Sequence, residues 1–381
     1  MEYVGQLGHF GWGALGYVVP FLFVLTLVVF VHELGHFLVA RWCGVRVKAF
    51  SIGFGPELVG FDDRHGTRWK ISALPLGGYV RFHGDDNAAS APDHEAIESM
   101  TEEERVTSFA GRPVWQRAAI IAAGPIANFI LAILIFAAIF ALYGREVTAP
   151  FVDRVTPGGA AERAGLRSGD LVLSIDGSPI DSFNDLQRVV SMSSDEALHL
   201  VVRRGDQDLP IVATPERREV KDRFGNVYKI GQLGIERDVS GGNLRVERFS
   251  LGGALILGAE ETWAVVDRTF AYLGRLVTGR ESADQLSGMI GVARASGQFA
   301  TLGFVALVNL AAMLSVSIGL LNLFPIPMLD GGHLVFCGIE ALRGRPLSAR
   351  VQDIGFRIGL AAVLMLMLFT TWNDILHLTR L

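Results

Sequence analysis

Four long apolar stretches, divided by polar and glycine-rich sequence, set the pattern of this 381-residue chain. Residues 17–40, 118–143, 304–324 and 354–372 each approach or exceed the roughly 20 apolar residues that a helix needs to cross hydrocarbon, which predicts four spans. The third is interrupted by Pro325 and Pro327 and continues irregularly to Cys337. Between the first two, residues 50–82 half-alternate around Gly53, Gly55, Pro56, Gly77 and Gly78, a pattern of short strands and turns close to the membrane. Residues 85–104 are acidic and poor in large apolar side chains, as a solvated loop is. Residues 150–215 change texture to that of a small soluble domain, with strand-like runs at 151–155, 171–175 and 198–202 around one helix at 182–191. In residues 251–270 apolar positions alternate with Glu260, Glu261, Asp267 and Arg268, which predicts an amphipathic helix at the membrane surface and not a fifth span.

Composition agrees. A mean hydropathy of +0.37 with 50% hydrophobic residues is too apolar for an ordinary soluble enzyme, while 19% charged residues require a water-exposed part. The formal charge of −5 and the lack of a long basic run predict no nucleic-acid partner. Cys43 and Cys337 are too far apart in sequence to suggest a metal-ligand pair or a disulfide framework, and apolar roles suffice for both. No Lys or Arg occurs in the first 40 residues, so residues 17–40 are expected to be a retained span and not a cleaved signal. Basic residues cluster after the first span (Arg41, Arg46, Lys48), before the second (Arg112, Arg117) and between the third and fourth (Arg343, Arg345, Arg350, Arg357). Those segments are expected in the cytoplasm, with both termini and residues 144–301 on the opposite face.

The candidate chemistry lies inside the first span. In His32-Glu33-Leu34-Gly35-His36 the two imidazoles are one helical turn apart and can share a metal ion, while Glu33 reaches a water beside it. A chance HExxH in a soluble helix is often a surface charge pattern, but in a span three ionisable side chains within one turn call for a function. Zinc in a hydrolase takes three protein ligands and leaves one position open. Asp330 is the remote candidate, because it is the only carboxylate between Gln298 and Glu340 and falls in the cytoplasmic half of its span, as His32 and His36 do. His333 could be a fourth ligand, which would close the site, but a supporting role fits better. The other histidines show no ligand spacing.

Three motifs together carry a resemblance over nearly the whole chain. HELGH, Gly124-Pro-Ile-Ala-Asn128 and Asn322-Leu-Phe-Pro-Ile-Pro-Met-Leu-Asp-Gly-Gly-His333 resemble the HExxH, GPxxN and proline-broken LDG motifs of the site-2 protease family of intramembrane zinc metalloproteases, most closely its bacterial regulator-of-sigma-factor branch. The resemblance implies Zn2+ on His32, His36 and Asp330, with Glu33 as general base. It also implies that residues 50–82 form a membrane-associated β-hairpin and loop that guide substrate. Leu286-Ser-Gly-Met-Ile-Gly-Val292 departs from the related motif by carrying Met289 where proline is usual. Asn128 and Asn322, polar at membrane depth, could bind an unwound substrate backbone or serve as hydrogen-bond glue between helices.

The run from Pro157 to Asp170, followed by Ile175-Asp-Gly-Ser-Pro179, resembles a bacterial PDZ domain, and only one such domain fits. Gly231-Gln232-Leu233-Gly234-Ile235 is its candidate carboxylate loop, with Gly231, Leu233, Gly234 and Ile235 receiving a peptide C-terminus in a circularly permuted order; a plain strand and turn is the alternative. The expected fold is thus a polytopic α-helical membrane protein of about four transmembrane helices, with a membrane-associated β-hairpin and one inserted extracytoplasmic PDZ-like α+β domain. Its parts are residues 1–149, 150–238 (PDZ-like), 239–303 (membrane surface) and 304–381. The expected enzyme sits in the bacterial inner membrane with HExxH toward the cytoplasm and cleaves single-span proteins, a trimmed anti-sigma factor or signal-peptide remnants. A catalytically silent PDZ adaptor, or a zincin with an aqueous chamber, are the rival readings.

Overall fold

The computed structural model describes residues 2–84, 100–221, 227–237, 245–279, 283 and 286–379. It divides into two compact units, residues 1–139 with 251–381, and residues 140–250. Among the described residues, four helices are long and apolar enough to cross a membrane: Leu15–Trp42, Val114–Tyr143, Phe304–Asn322 and Arg350–Leu376.

In the first unit, α1 (Glu2–Trp42) runs into β1 (Val47–Asp62) and β2 (Arg68–Phe82). These two strands curl: residues 50–52 of β1 have partners on both sides, in residues 69–71 and in residues 78–80 of β2. Phe37, Phe50, Val80, Phe82 and Ile120 bury one side of the hairpin against the end of α1, and Trp69 stacks on Phe50 at 4.4 Å. Leu58, Val59, Phe61, Ile71 and Leu74 of the hairpin are exposed, which suits a lipid-facing element. Of the acidic segment expected at 85–104, residues 85–99 lie outside the described residues. Its end is helical: α2 (Glu102–Thr107) begins with a Thr101/Glu104 capping box.

Next comes α3 (Val114–Tyr143), then, beyond the second unit, α6 (Leu251–Val277), α7 (Met289–Thr301), α8 (Phe304–Asn322), α9 (Asp330–Arg343) and α10 (Ala349–Thr379). The irregular continuation expected up to Cys337 is corrected here. Irregular backbone stops at Leu329 and α9 begins at Asp330, because two prolines end one helix and a fresh one can start after the turn. α6 is not among the four spans; its small residues face inward, and Gly258 sits so close to α3 that a Cβ there would lie 2.6 Å from the Ile133 carbonyl. The expected surface helix is therefore packed against the membrane core along Ala254, Gly258 and Thr262. Asp374 near the end of α10 accepts from the Gly288 and Gly291 N–H groups and from Ser287 Oγ, which ties the start of α7 to the last span.

The second unit is built around a four-stranded sheet, β6–β5–β7–β8, of β5 (Leu171–Ile175), β6 (Ser178–Pro179), β7 (Leu198–Arg204) and β8 (Gln207–Ala213). Earlier in the chain come β3 (Arg145–Val147), β4 (Arg154–Val155) and α4 (Ala160–Arg163), so the strand expected at 151–155 is shorter, with only a bridge from Phe151 to Leu171 before it. α5 (Phe183–Met192) is capped by Ser182 and buries Leu186 and Val190. After β8 follow β9 (Glu216–Lys221), β10 (Val227–Gln232), β11 (Ile235–Glu236) and β12 (Arg245–Glu247). β12 pairs with β3 and closes the neck of the unit, and β11 pairs with β4.

Candidate metal centre

One face of α1 carries His32 and His36, with Nε2 atoms 3.2 Å apart. Asp330, at the first position of α9, points Oδ2 at both, 3.2 Å from His32 Nε2 and 3.6 Å from His36 Nε2. The turn that delivers it is tight: a Cβ at Gly331 would meet the Phe324 carbonyl at 2.2 Å, one at Gly332 would meet the Ile326 carbonyl at 2.4 Å, and Met328 takes a positive φ of 92°. Only glycine permits such an approach, and Met328 stores strain in the same turn.

These three atoms fit a metal ion. Two donors about 2.1 Å from a tetrahedral zinc stand roughly 3.4 Å apart, close to all three separations seen. His36 Nδ1 donates to the Ile120 carbonyl at 2.8 Å, so in the neutral ring Nε2 presents a lone pair. Asp330 Oδ2 is buried and makes no well-formed hydrogen bond among the described residues. Electron-pair donors that converge in a buried place are what a cation resolves.

Glu33 lies beside the cluster under the hairpin. The Val80 N–H of β2 donates to its carboxylate, and a Cβ at Gly78 would lie 3.2 Å from Glu33 Cγ. Gly78 therefore lets strand β2 rest directly on the HELGH turn of α1.

Asn128 is fully buried, with its amide nitrogen 3.3 Å from His32 Nδ1. Asn322 is half-buried at the last position of α8. His333 lies against Phe336 and Phe356, with ring centroids 6.4 Å and 5.3 Å away, and is not part of the ligand triangle. In the second unit Leu233 is buried in the core and its carbonyl accepts from Ala161 N–H, while the Gly234 carbonyl accepts from Thr156 N–H. Gly231 packs on the end of α5, where a Cβ would come within 2.3 Å of the Val190 carbonyl.

Sequence reasoning missed the Ile120 carbonyl, which has no residue-type signature, and the space-making role of Gly124, whose added Cβ would sit 2.2 Å from His36 Nε2. It also missed the Arg117–Glu340 ion pair, at 2.6 Å, which ties α3 to α9 across 223 residues of sequence.

The sequence signature "Peptidase family M50" matches residues 20–366. A protein of Agrobacterium fabrum named as a zinc metalloprotease is 54% identical, over 94% of this chain and 96% of its own. Metalloprotease MmpA of Caulobacter vibrioides is 43% identical, over 95% of this chain and 96% of its own. A crystallised PDZ domain of HtrA3, bound to a phage-derived ligand, is similar over 19% of this chain and 82% of its own, with 30% identity and a TM-score of 0.17. Since the family match runs from residue 20 to residue 366 and takes in HELGH, Asn128 and the LDG turn, this chain belongs to peptidase family M50, the site-2 protease family, and is a zinc metalloprotease.

Proposed function

We propose that this enzyme cuts single-span membrane proteins within or near the bilayer, using His32, His36 and Asp330 as zinc ligands and Glu33 as general base. The observation that carries the reading is the convergence of two imidazoles and one carboxylate at 3.2–3.6 Å on a helix apolar enough to cross a membrane. Zinc, when bound, supplies Lewis acidity and makes water nucleophilic at neutral pH. Glu33 accepts the proton of the attacking water and hands it to the leaving nitrogen. Its carboxylate is held for this by the Val80 N–H.

A helical substrate hides its scissile bond behind its own hydrogen bonds, so it has to unwind, and the freed backbone groups need partners in a greasy place. Strand addition to the hairpin satisfies them, and β2 lies against Glu33, so a paired strand would run beside the base. Asn322 offers the unwound backbone a further polar partner. Gly231, Leu233, Gly234 and Ile235 form the carboxylate loop of a PDZ-like filter that selects substrates already trimmed outside the membrane. An anti-sigma factor or a signal-peptide remnant suits that description. The enzyme works in the bacterial inner membrane, HELGH toward the cytoplasm and residues 140–250 outside it.

Purified full-length Glu33→Gln should retain zinc and lose cleavage of a model spanning peptide, while Asp330→Ala should lose both. Normal cleavage by Glu33→Gln would end this mechanism.

A further inference from the structure

We infer that Asn128 is a positioning residue for the metal: its side-chain carbonyl accepts from His32 Nδ1–H and thereby fixes which nitrogen of that ring faces Asp330. The inference rests on the reading of His32 as a zinc ligand. The structure records the amide with Nδ2 toward the ring, 3.3 Å from Nδ1. Amide oxygen and nitrogen are alike in shape, and the hydrogen-bond network decides between them.

An Nδ2–H donor would need a lone pair on His32 Nδ1 and would move the ring proton to Nε2. That nitrogen is the one facing His36 Nε2 and Asp330 Oδ2, each 3.2 Å away, so the protonated ring would be useless as a ligand. The same orientation leaves Asn128 Oδ1 buried without a hydrogen-bond partner among the described residues. Turning the amide through half a turn removes the first difficulty, while the group without a hydrogen-bond partner becomes Nδ2 in place of Oδ1. Oδ1 then accepts from Nδ1–H, and Nε2 is free to bind.

The arrangement matches what is already plain at His36, where Nδ1 donates to the Ile120 carbonyl. Both histidines of α1 are then oriented by acceptors of α3, Ile120 and Asn128, about two turns apart. Asn128 is itself held by α8. Ser315 Oγ donates to its main-chain carbonyl at 2.9 Å, and Gly319 packs so close that a Cβ added there would lie 3.2 Å from the Asn128 Cβ. α8 leads into the turn that carries Asp330, so Asn128 joins the helices on which the proposed ligands depend. Its complete burial argues against contact with substrate, and helix glue alone does not explain why its amide is aimed at a ligand ring.

The test uses full-length protein in detergent, with zinc affinity measured by competition against a chromophoric chelator and the site geometry read from the visible spectrum of the Co2+-loaded protein. Asn128→Leu, which keeps the bulk and removes the acceptor, should weaken zinc binding by about 10- to 100-fold and change the Co2+ bands. Asn128→Asp keeps an acceptor and should hold zinc at least as tightly as the parent. Asn128→Leu with the parent's zinc affinity and Co2+ spectrum, including the case where only KM for a model peptide rises, would overturn the inference. If Asn128→Leu does not fold, Asn128→Asp decides, and weakened zinc binding there overturns it. His32→Ala separates the two levels: unchanged zinc affinity in that variant would overturn the ligand reading itself.

Discussion

Two glycines let the helices of the site come together. A Cβ at Gly35, between the two histidines, would lie 2.3 Å from the Ala123 carbonyl, and one at Gly124 would lie 2.2 Å from His36 Nε2. The first brings α1 and α3 into backbone contact, and the second leaves the space that the His36 ring fills. Neither collision can be relieved cheaply, because one partner is backbone and the other is a ring held by its bond to Ile120. Gly124→Ala should therefore weaken zinc binding at least about tenfold even if the protein still folds, which metal analysis of the purified variant would check. Zinc binding at the parent's level would mean that the ring has another place to go.

At the scale of elements, the second unit depends on an ion pair in its loop structure. Asp170 has its side chain enclosed where it accepts from Arg204 Nε at 2.7 Å, Arg204 Nη2 at 2.8 Å and the Arg167 N–H at 2.8 Å. Burial alone would raise its pKa, but these bonds and the Arg204 charge hold the carboxyl below the usual carboxylate range. Its folded pKa thus lies below the unfolded value of about 3.9, so its contribution is complete above that pH and is lost as pH falls through the folded value. Pulse proteolysis of the full chain, following residues 140–250, should show Asp170→Asn less resistant than the parent at pH 7. The gap should narrow toward pH 3, as protonation disarms the parent; a gap that stays constant would speak against the pair.

For the whole molecule the questions are orientation and selectivity. Basic residues cluster around Arg41–Lys48, Arg112–Arg117 and Arg343–Arg357, so reporters fused after Glu95 and Arg345 should read cytoplasmic and one after Gly205 extracytoplasmic. An extracytoplasmic signal from Glu95 would overturn the orientation. The second unit has its own buried core around Val152, Val172, Leu186, Leu200 and Val202, and none of the proposed ligands or the base lies in it. Its removal should leave cleavage of a short model peptide intact while relaxing discrimination against a substrate with a bulky outer domain. Unchanged relative rates in a folded, zinc-loaded deletion variant would rule out the filter.

The spans and the HExxH turn were legible in the sequence because both depend on local regularities. A run of apolar residues decides a span by its length, and a separation of four residues puts His32 and His36 on one face of any helix. Asp330 was within reach because carboxylates are so scarce in that stretch and because it sits in the proline-broken LDG motif. The helical start at Asp330, the inward packing of α6 and the helix at Glu102 were not legible, since each is decided by what a proline turn, a neighbouring helix or a cap allows. Tertiary structure alone decided the Ile120 and Asn128 contacts with the histidine rings, and the fit of Gly124 beneath one of them. Main-chain carbonyls and empty space have no letter in a sequence, and they take on meaning only when helices about 90 residues apart are brought into contact.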